Sequence, residues 1–333
     1  MRKHILFLSL ALVFVPLFVA TTHAKPFYEG KVIKIIAATK PGGGYDWYAR
    51  FMAQFMKKYL PGSTVIVKNV PGAGHIIGTN EMYVSKPNGL TIATFNRAVG
   101  MAQVVGFKGV KFDFGNLSWL GSPTDEVYCF IANPKKYKNL DDVLKADKKV
   151  RLASTGLGTV SYLNPLVLFQ ALGFKNYSIG TGYSGAEMQM ALLRGEADAI
   201  WSSFYSRKPI IDSGEGRVVL FIGKKKPPGF EHVPFIEDVL KGEKYKPVVN
   251  LLRGIQLVGR PFAGPPGIPN DRLKILQEAF KKACNDPEAL KIAKKAERPM
   301  NYIGPEEAEA WAKGLLQLPP QVVATVKRAY GVK

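Results

Sequence analysis

Three glycine-containing turns hold the residues of this chain that are best suited to bind a small anion. They read TKPGGGYD at residues 39–46, NVPGAGHIIG at residues 69–78 and STGLGTVS at residues 154–161. Each stands between an apolar run and a segment with helical spacing, so its backbone N–H groups would lie at a helix start, where the helix dipole favours negative charge. A single turn of this kind is most simply a tight turn, but three of them favour a shared ligand cleft.

Nucleotide-binding patterns are absent from these turns. None has the G-x-x-x-x-G-K-[ST] spacing that brings a lysine and a hydroxyl group to phosphates. The first turn also lacks G-x-G-x-x-G, because Asp46 to Tyr48 occupy the later positions. Lys40 is the nearest basic residue to the glycines, so a carboxylate suits the turns better than a phosphate.

A hydrolase is the alternative from another functional class. GYSGA at residues 182–186 differs from the G-x-S-x-G nucleophile elbow only in its last residue. Ser184 would then be the nucleophile, with His232 as base and Asp198 or Asp212 completing a triad. The elbow requires a strand that leads directly into the serine, and SIGTG before it is only a weak strand pattern.

Cysteine and histidine are too sparse to predict a metal site or a cofactor. Cys129 and Cys284 are far apart in sequence, so two separate buried thiols are expected rather than a disulfide. After removal of a leader, His75 and His232 are the histidines that remain. We therefore predict no metal and no cofactor. Because no nucleophile in the sequence has a clear base beside it, we also predict no catalytic residues.

Alternating strand and helix patterns predict an α/β fold with largely parallel sheets. The first helix has apolar residues at helical spacing from Trp47 to Tyr59, with Asp46 as its predicted N-cap and Arg50 as the ion-pair partner of Asp46. Strands are expected at residues 31–38, 64–68, 90–95, 127–132, 150–154, 198–201, 217–222 and 254–258. The three turns then lie at the carboxyl ends of strands, where open parallel sheets bind ligands.

The first 24 residues have the pattern of a secretory signal peptide. Arg2 and Lys3 precede an apolar run, and Thr22-His23-Ala24 is a small-x-Ala cleavage site. An uncleaved anchor is the alternative, although the run is shorter than the roughly 20 residues of a membrane span. We expect cleavage after Ala24 and a periplasmic protein.

The chain is strongly basic, with a formal net charge of +20 over 333 residues. No nucleic-acid recognition motif accompanies the charge, and export argues against nucleic acid as a partner. A solvated basic surface that raises the local concentration of small anions is the simpler interpretation.

The ordered set of motifs resembles the Bug family, the extracytoplasmic solute receptors of tripartite tricarboxylate transporters. The segments that carry the resemblance are KPGGGYDWYAR, NVPGAGHIIG, STGLGTVSYL and GYSGAEMQMALLRGEADA, with VPFIEDV and PPGIPNDRLKILQEAF further along. The resemblance implies a two-lobed periplasmic-binding-protein fold of type II-like architecture, in which each lobe is a mostly parallel sheet flanked by helices. It also implies a non-enzymatic receptor that closes on a small carboxylate.

The same resemblance implies which residues touch the ligand. Backbone amides, hydroxyl groups and water would hold it at Thr39, Gly43, Gly44, Tyr45, Asp46, Ala73, Gly74, His75, Thr155, Gly158, Thr159, Ser161, Tyr183 and Ser202. For Asp46, helix capping is a better role than contact with an anion. The family usually has an aromatic residue at Thr39, a small polar residue at Tyr45 and glycine at His75, so the ligand is expected to differ from the commoner di- and tricarboxylates.

The implied organisation is a leader at residues 1–24, a first lobe from residues 25–123 and 227–333, and a second lobe from residues 124–226. Crossing segments near residues 124–131 and 217–227 would form the hinge. We expect a monomer that presents its closed form to membrane transporter subunits. A receptor that feeds a sensor kinase would have the same sequence features.

Overall fold

The computed structural model describes residues 26–332, so the predicted leader lies outside the described residues. Within this range the strands are β1 (Val32–Ala37), β2 (Thr64–Asn69), β3 (Thr91–Thr94), β4 (Ser118–Gly121), β5 (Tyr128–Ala132), β6 (Val150–Ala153), β7 (Tyr177–Gly180), β8 (Ala199–Ser203), β9 (Arg217–Ile222) and β10 (Phe262–Gly264). Most of the expected strands are found within one or two residues of their predicted ends.

Helices connect these strands and cover both faces of the sheets. They are α1 (Gly44–Lys58), α2 (Ile76–Tyr83), α3 (Val99–Val104), α4 (Leu140–Leu144), α5 (Val160–Leu172), α6 (Gly185–Leu193), α7 (Phe204–Asp212), α8 (Ile236–Val239), α9 (Lys246–Ile255), α10 (Asn270–Cys284), α11 (Pro287–Lys295), α12 (Pro305–Leu316) and α13 (Pro320–Tyr330). Short 3-10 turns lie at Ala73–His75, Phe114–Asn116 and Glu243–Tyr245.

The two sheets have equivalent strand orders, which confirms the two-lobed α/β fold. The first sheet is ordered β2-β1-β3-β10-β4 and the second β7-β6-β8-β5-β9. In each sheet the first three strands pair in parallel and the last two join antiparallel. Each sheet is therefore mixed but mostly parallel: β10 and β5, the strands by which the chain enters a lobe from the other, run antiparallel to both of their neighbours, and the other four strands run in one direction.

Two neighbouring segments carry the chain between the sheets. The first crossing joins β4 to β5 over residues 122–127, and the return reaches the first sheet at β10. There Gly259 N donates to Thr124 O at 2.9 Å and Arg260 N donates to Ser122 Oγ at 2.9 Å. We propose that these paired segments are the hinge, since β9 places part of the predicted second crossing inside the second sheet.

The boundaries between the lobes, predicted near residues 124 and 227, remain predictions. The segment after β9 packs on the second sheet through a bridge from Phe235 to Phe221. The last helix, α13, also packs against α5, where Tyr330 stacks on Tyr162 and its Oη donates to Leu157 O at 2.6 Å.

Helix α1 buries the apolar stripe that its sequence predicts. Tyr48, Phe51 and Met56 are buried against the first sheet and α10. Its N-cap is Gly43, so the prediction of Asp46 as N-cap is wrong by three residues. Asp46 lies in the first turn and reaches back to accept from Gly42 N at 3.0 Å, which ties the glycine turn to the helix.

The strand predicted at residues 254–258 is also wrong. Residues up to Ile255 belong to α9, where Val248, Leu252 and Ile255 are buried on one side. Apolar residues at three- and four-residue spacing favour a helix, and the short strand β10 that joins the first sheet follows seven residues after that helix ends.

Candidate ligand-binding site

A small cavity lies between the lobes, at the carboxyl ends of β1, β3, β6 and β8. About 50 Å³ of it is open to the centres of water molecules. Eight predicted residues line it, namely Thr39, Gly43, Gly44, Tyr45, His75, Thr155, Ser161 and Ser202. The structure adds nine more: Asn96, Tyr128, Val160, Gly185, Met188, Trp201, Ser206, Arg207 and Arg260.

The other six predicted residues do not line this cavity. Ala73, Gly74 and Gly158 lie where the lobes touch: a Cβ added to Gly74 would be 2.8 Å from Gly158 N. Tyr183 lines a separate depression beside α6. Asp46 and Thr159 are buried, and Thr159 Oγ1 donates to Gly156 O at 2.6 Å, which holds the third turn together.

The first turn presents the uncapped start of α1 to the cavity. Gly42 has φ +86°, a left-handed conformation that glycine adopts without strain. Gly43 is the N-cap and has no side chain to cap the helix, and no side chain among residues 26–332 accepts from the first N–H groups of α1. These donors and the helix dipole suit an anion.

Asp46 stabilises this turn from behind and does not face the ligand space. Its carboxylate accepts from Arg50 Nε at 3.1 Å and Asn69 Nδ2 at 2.8 Å, in addition to Gly42 N. Burial opposes ionisation, but these hydrogen bonds hold the pKa of Asp46 below its usual value. The carboxylate is therefore kept charged by Arg50 and Asn69 together with the turn's own Gly42.

His75 is a neutral hydrogen-bond donor on the cavity wall. Its Nδ1 accepts from Asn96 N at 3.1 Å, which places the ring proton on Nε2. Burial, together with the nearby positive charge of Arg260, lowers the pKa of His75 to about 3. Its backbone has φ +75°, a left-handed conformation that glycine adopts more readily than histidine.

The third turn supplies a cluster of hydroxyl groups from the second lobe. Ser161 Oγ lies 3.0 Å from Thr155 Oγ1 and 2.9 Å from Thr159 Oγ1, and accepts from Thr155 N at 3.1 Å. Asn96 of the first lobe reaches this turn, because its Oδ1 accepts from Val160 N at 3.2 Å. The start of α5 is thus joined to the opposite lobe.

Buried arginines are the part of the site that sequence reasoning missed. Arg207 follows β8 in the first turns of α7, and Arg260 lies on the return crossing just before β10. Arg260 stacks on the Tyr45 ring at 4.2 Å and contacts Glu126 Oε2 at 2.7 Å. The sequence held a weak signal for Arg207, which stands four residues after the strand end at Ser202-Ser203. No local sequence pattern pointed to Arg260.

Ser184 is used as a helix cap. Its Oγ accepts from Glu187 N at 3.0 Å, and the Glu187 carboxylate accepts from Ser184 N, forming a capping box. His232 stacks on Phe230, while Asp198 pairs with Arg151 and Lys136. Among residues 26–332 the proposed triad members share no hydrogen bond, so the geometry gives the hydrolase alternative no support.

Cysteines and other metal-ligand types are also dispersed in the described range. Cys129 and Cys284 are both free and buried. Residues 26–332 contain no group of three or more His, Cys, Asp or Glu side chains placed to hold a metal ion. The same range has no helix with the length and hydropathy of a membrane span.

Comparisons with known proteins agree with this architecture. A family model described as tripartite tricarboxylate transporter family receptor matches residues 48–306. A UPF0065 protein of Bordetella pertussis is 25% identical over 274 residues, with 80% of each chain covered.

Two solved structures have a similar fold. The periplasmic binding protein BugD has a TM-score of 0.77 at 23% identity, covering 92% of this chain and 99% of that one. MatC from Rhodopseudomonas palustris, solved with bound malate, has a TM-score of 0.71 at 18% identity, covering 90% of this chain and 98% of that one.

Proposed function

This chain belongs to the receptor family of tripartite tricarboxylate transporters, and we propose that it captures a small carboxylate between its two lobes. Its relative in fold, MatC, was solved with malate, which supports an organic acid here. We further propose that the chain is exported to the periplasm, acts without catalysis, and delivers its ligand as a monomer to the membrane subunits of such a transporter.

The observation that carries this proposal is the convergence of helix starts on one cavity. The first residues of four helices, α1, α5, α6 and α7, contribute to the cavity wall. The cavity lies where the two lobes meet. Each helix start adds partial positive charge and N–H donors. Serine, threonine and tyrosine hydroxyl groups add further donors, so a carboxylate would replace its hydration shell with protein hydrogen bonds.

A thermal-shift screen of the chain that starts at Lys25 tests the proposal. Mono-, di- and tricarboxylates are compared with their uncharged amides. A ligand that binds only the native state adds about 2.7 kcal/mol at one hundred times its Kd, so a matching acid should raise Tm by several degrees. The amides should leave Tm unchanged, and equal shifts by acids and amides would contradict the proposal.

Calorimetry with the best acid then tests the site. Ser161→Ala removes the hydroxyl that ties Thr155 and Thr159 together in the third turn at the cavity wall, and the loss of these hydrogen bonds, roughly 1–1.5 kcal/mol, should weaken binding about tenfold. Ser213→Ala, an exposed serine outside the cavity, is the control and should bind as the parent does. Ester hydrolysis that Ser184→Ala abolishes would instead favour an enzyme.

A further inference from the structure

Four arginines at or near one end of the cavity carry more positive charge than the described residues around them neutralise, and two of them, Arg207 and Arg260, line the cavity itself. Arg97 and Arg260 both pair with Glu126, at 3.0 and 2.7 Å. Arg207 and Arg298 have no ion pair among the residues that the structure describes. Two of these four guanidinium groups therefore share the buried Glu126 carboxylate, and the other two have no paired carboxylate within the described residues.

Arg207 is the cation of this group that is both buried and without a countercharge. Its side chain donates to four neutral oxygens: Nε to Ser202 Oγ at 3.1 Å, Nη1 to Gln189 Oε1 at 3.0 Å and to Ser206 O at 3.2 Å, and Nη2 to Gly185 O at 2.5 Å. Burial, with Arg298 and Arg260 nearby, lowers the pKa of Arg207 to about 10. Burying an uncompensated charge is costly, so a binding anion would gain from relieving it.

Ser206 is held as a donor beside these arginines. Its Oγ accepts from Arg298 Nη1 at 2.8 Å and from Arg260 Nη2 at 3.5 Å. A serine oxygen has two lone pairs, so both are occupied and the hydroxyl hydrogen is left to donate. Ser206, Arg207 and Arg260 all line the cavity, so this donor and the arginines face the same space.

We propose that a second anion subsite is formed by Arg207, Arg260 and Ser206. In this subsite Arg207 is the residue that selects dianionic over monoanionic ligands. The proposal rests on the proposed capture of a carboxylate, whose first anionic group occupies the helix starts of the glycine turns. Four of the five Arg207 N–H groups already donate to protein oxygens, so Arg207 would attract the second group by its charge and its one remaining N–H. We assign the second group as a carboxylate, the same kind of group that the glycine turns would hold.

The size of the cavity limits the spacing of the two groups. One water needs about 10–15 Å³ on this measure, and about 50 Å³ is open. This space suits the shortest dicarboxylates. Suitable probes are therefore oxalate, malonate and succinate, each with its monoamide, which has nearly the same shape and one charge less.

Calorimetry at fixed ionic strength compares each diacid with its monoamide and with acetate and lactate. The tightest ligand should be a diacid that binds at least tenfold more tightly than its own monoamide. Arg207→Gln should weaken that diacid at least tenfold and its monoamide less than threefold. Arg207→Lys keeps the charge, so it should retain part of the preference for the diacid, and it provides a second variant if the glutamine variant does not fold.

Arg194→Gln is the matched control, because Arg194 is exposed and pairs only loosely with Glu196 at 3.9 Å. It removes the same charge from the molecule and should change neither affinity by more than about twofold if long-range screening is complete. An equal loss of diacid and monoamide binding in Arg207→Gln would make Arg207 structural and overturn the inference.

Other outcomes separate this inference from the proposed function. A monocarboxylate or monoamide that binds as tightly as the best diacid overturns the second subsite and leaves carboxylate capture intact. Phosphonoacetate binding tenfold more tightly than malonate overturns the assignment of the second group as a carboxylate. Failure of every acid to bind overturns carboxylate capture itself.

Discussion

At the scale of single residues, the cavity wall combines buried cations with an imidazole that stays neutral. His75 is buried, and its Nδ1 is occupied by the Asn96 N–H. A second proton would have to displace that bond and enter a field already made positive by Arg260, which is a cause of its low pKa besides burial. His75 therefore adds a donor to the site without adding charge.

The neutrality of His75 makes the stability of the protein depend on pH. An unfolded histidine takes up a proton as pH falls through about 6.5, whereas the native pKa is about 3. The unfolded state therefore binds the extra proton first, and this residue lowers the free energy of unfolding by about 2 kcal/mol between pH 7.5 and pH 5.

His75→Asn should remove that part of the pH dependence. Asparagine tolerates the left-handed backbone and keeps an oxygen for the Asn96 N–H. The free energy of unfolding, measured with urea, falls between pH 7.5 and pH 5. This fall should be smaller by about 2 kcal/mol in the variant than in the parent. His232→Asn, on an exposed loop, is the control and should show the same pH dependence of the free energy of unfolding as the parent. If His75→Asn also shows the parent's pH dependence, the account of His75 is wrong.

At the scale of elements, the first glycine turn uses its glycines for different reasons. Gly42 has a positive φ, whereas Gly43 and Gly44 do not. A Cβ at Gly44 would instead lie 2.6 Å from Arg260 Nη2 and 2.9 Å from Ser206 Oγ. Gly44 is needed so that the start of α1 can approach the arginine wall.

Gly44→Ala should therefore reduce affinity through crowding. The added methyl group must push Arg260 away from α1 or part the lobes, and overpacking of this kind costs about 1–3 kcal/mol. We expect calorimetry with the best acid to show binding weakened about tenfold or more.

Gly314→Ala provides the matched control for this substitution. Gly314 lies inside α12 with nothing within 4 Å of an added Cβ. Alanine there should raise stability by about 0.5–1 kcal/mol and leave affinity unchanged. Unchanged affinity in Gly44→Ala would mean that the ligand does not need the observed approach of α1 to Arg260.

At the scale of the whole molecule, the lobes lie in a closed arrangement held by contacts of two kinds. Lys40 Nζ meets Glu187 Oε2 at 3.0 Å across the mouth, with both side chains about half exposed (45% and 50%). Asn96 Oδ1 accepts from Val160 N at 3.2 Å in the buried interior. Hinge closure around a ligand would form both contacts.

The buried contact should matter more for ligand affinity than the exposed one. Asn96→Ala leaves Val160 N without its acceptor in the closed form, at a cost of about 1–3 kcal/mol, so affinity should fall roughly fivefold or more. Lys40→Gln removes an exposed pair that contributes about 0–1 kcal/mol, so its effect should stay below about fivefold. Calorimetry that ranks the two variants in the opposite order would contradict this account of closure.

The sequence by itself determined the local parts of this protein. Strand β9 was predicted with its observed ends and β5 to within one residue, because apolar runs and breaking residues are local signals. The motif order indicated the receptor family that the family model confirms. The positions of the glycine turns at strand ends followed from the same alternation, and eight residues of these turns and strands reach the cavity.

The tertiary structure alone decided which distant residues join those turns. Strand order 2-1-3-10-4 brings Arg260 beside a turn that lies more than two hundred residues earlier, and closure of the second lobe brings Arg207 to the same wall. The tertiary structure also decided that Thr159 Oγ1 donates to Gly156 O, and that Asp46 accepts from Gly42 N on the side of the first turn away from the cavity. Such choices depend on sheet pairing and lobe closure, which are set by contacts between residues far apart in the chain and therefore leave no periodic trace in any one segment.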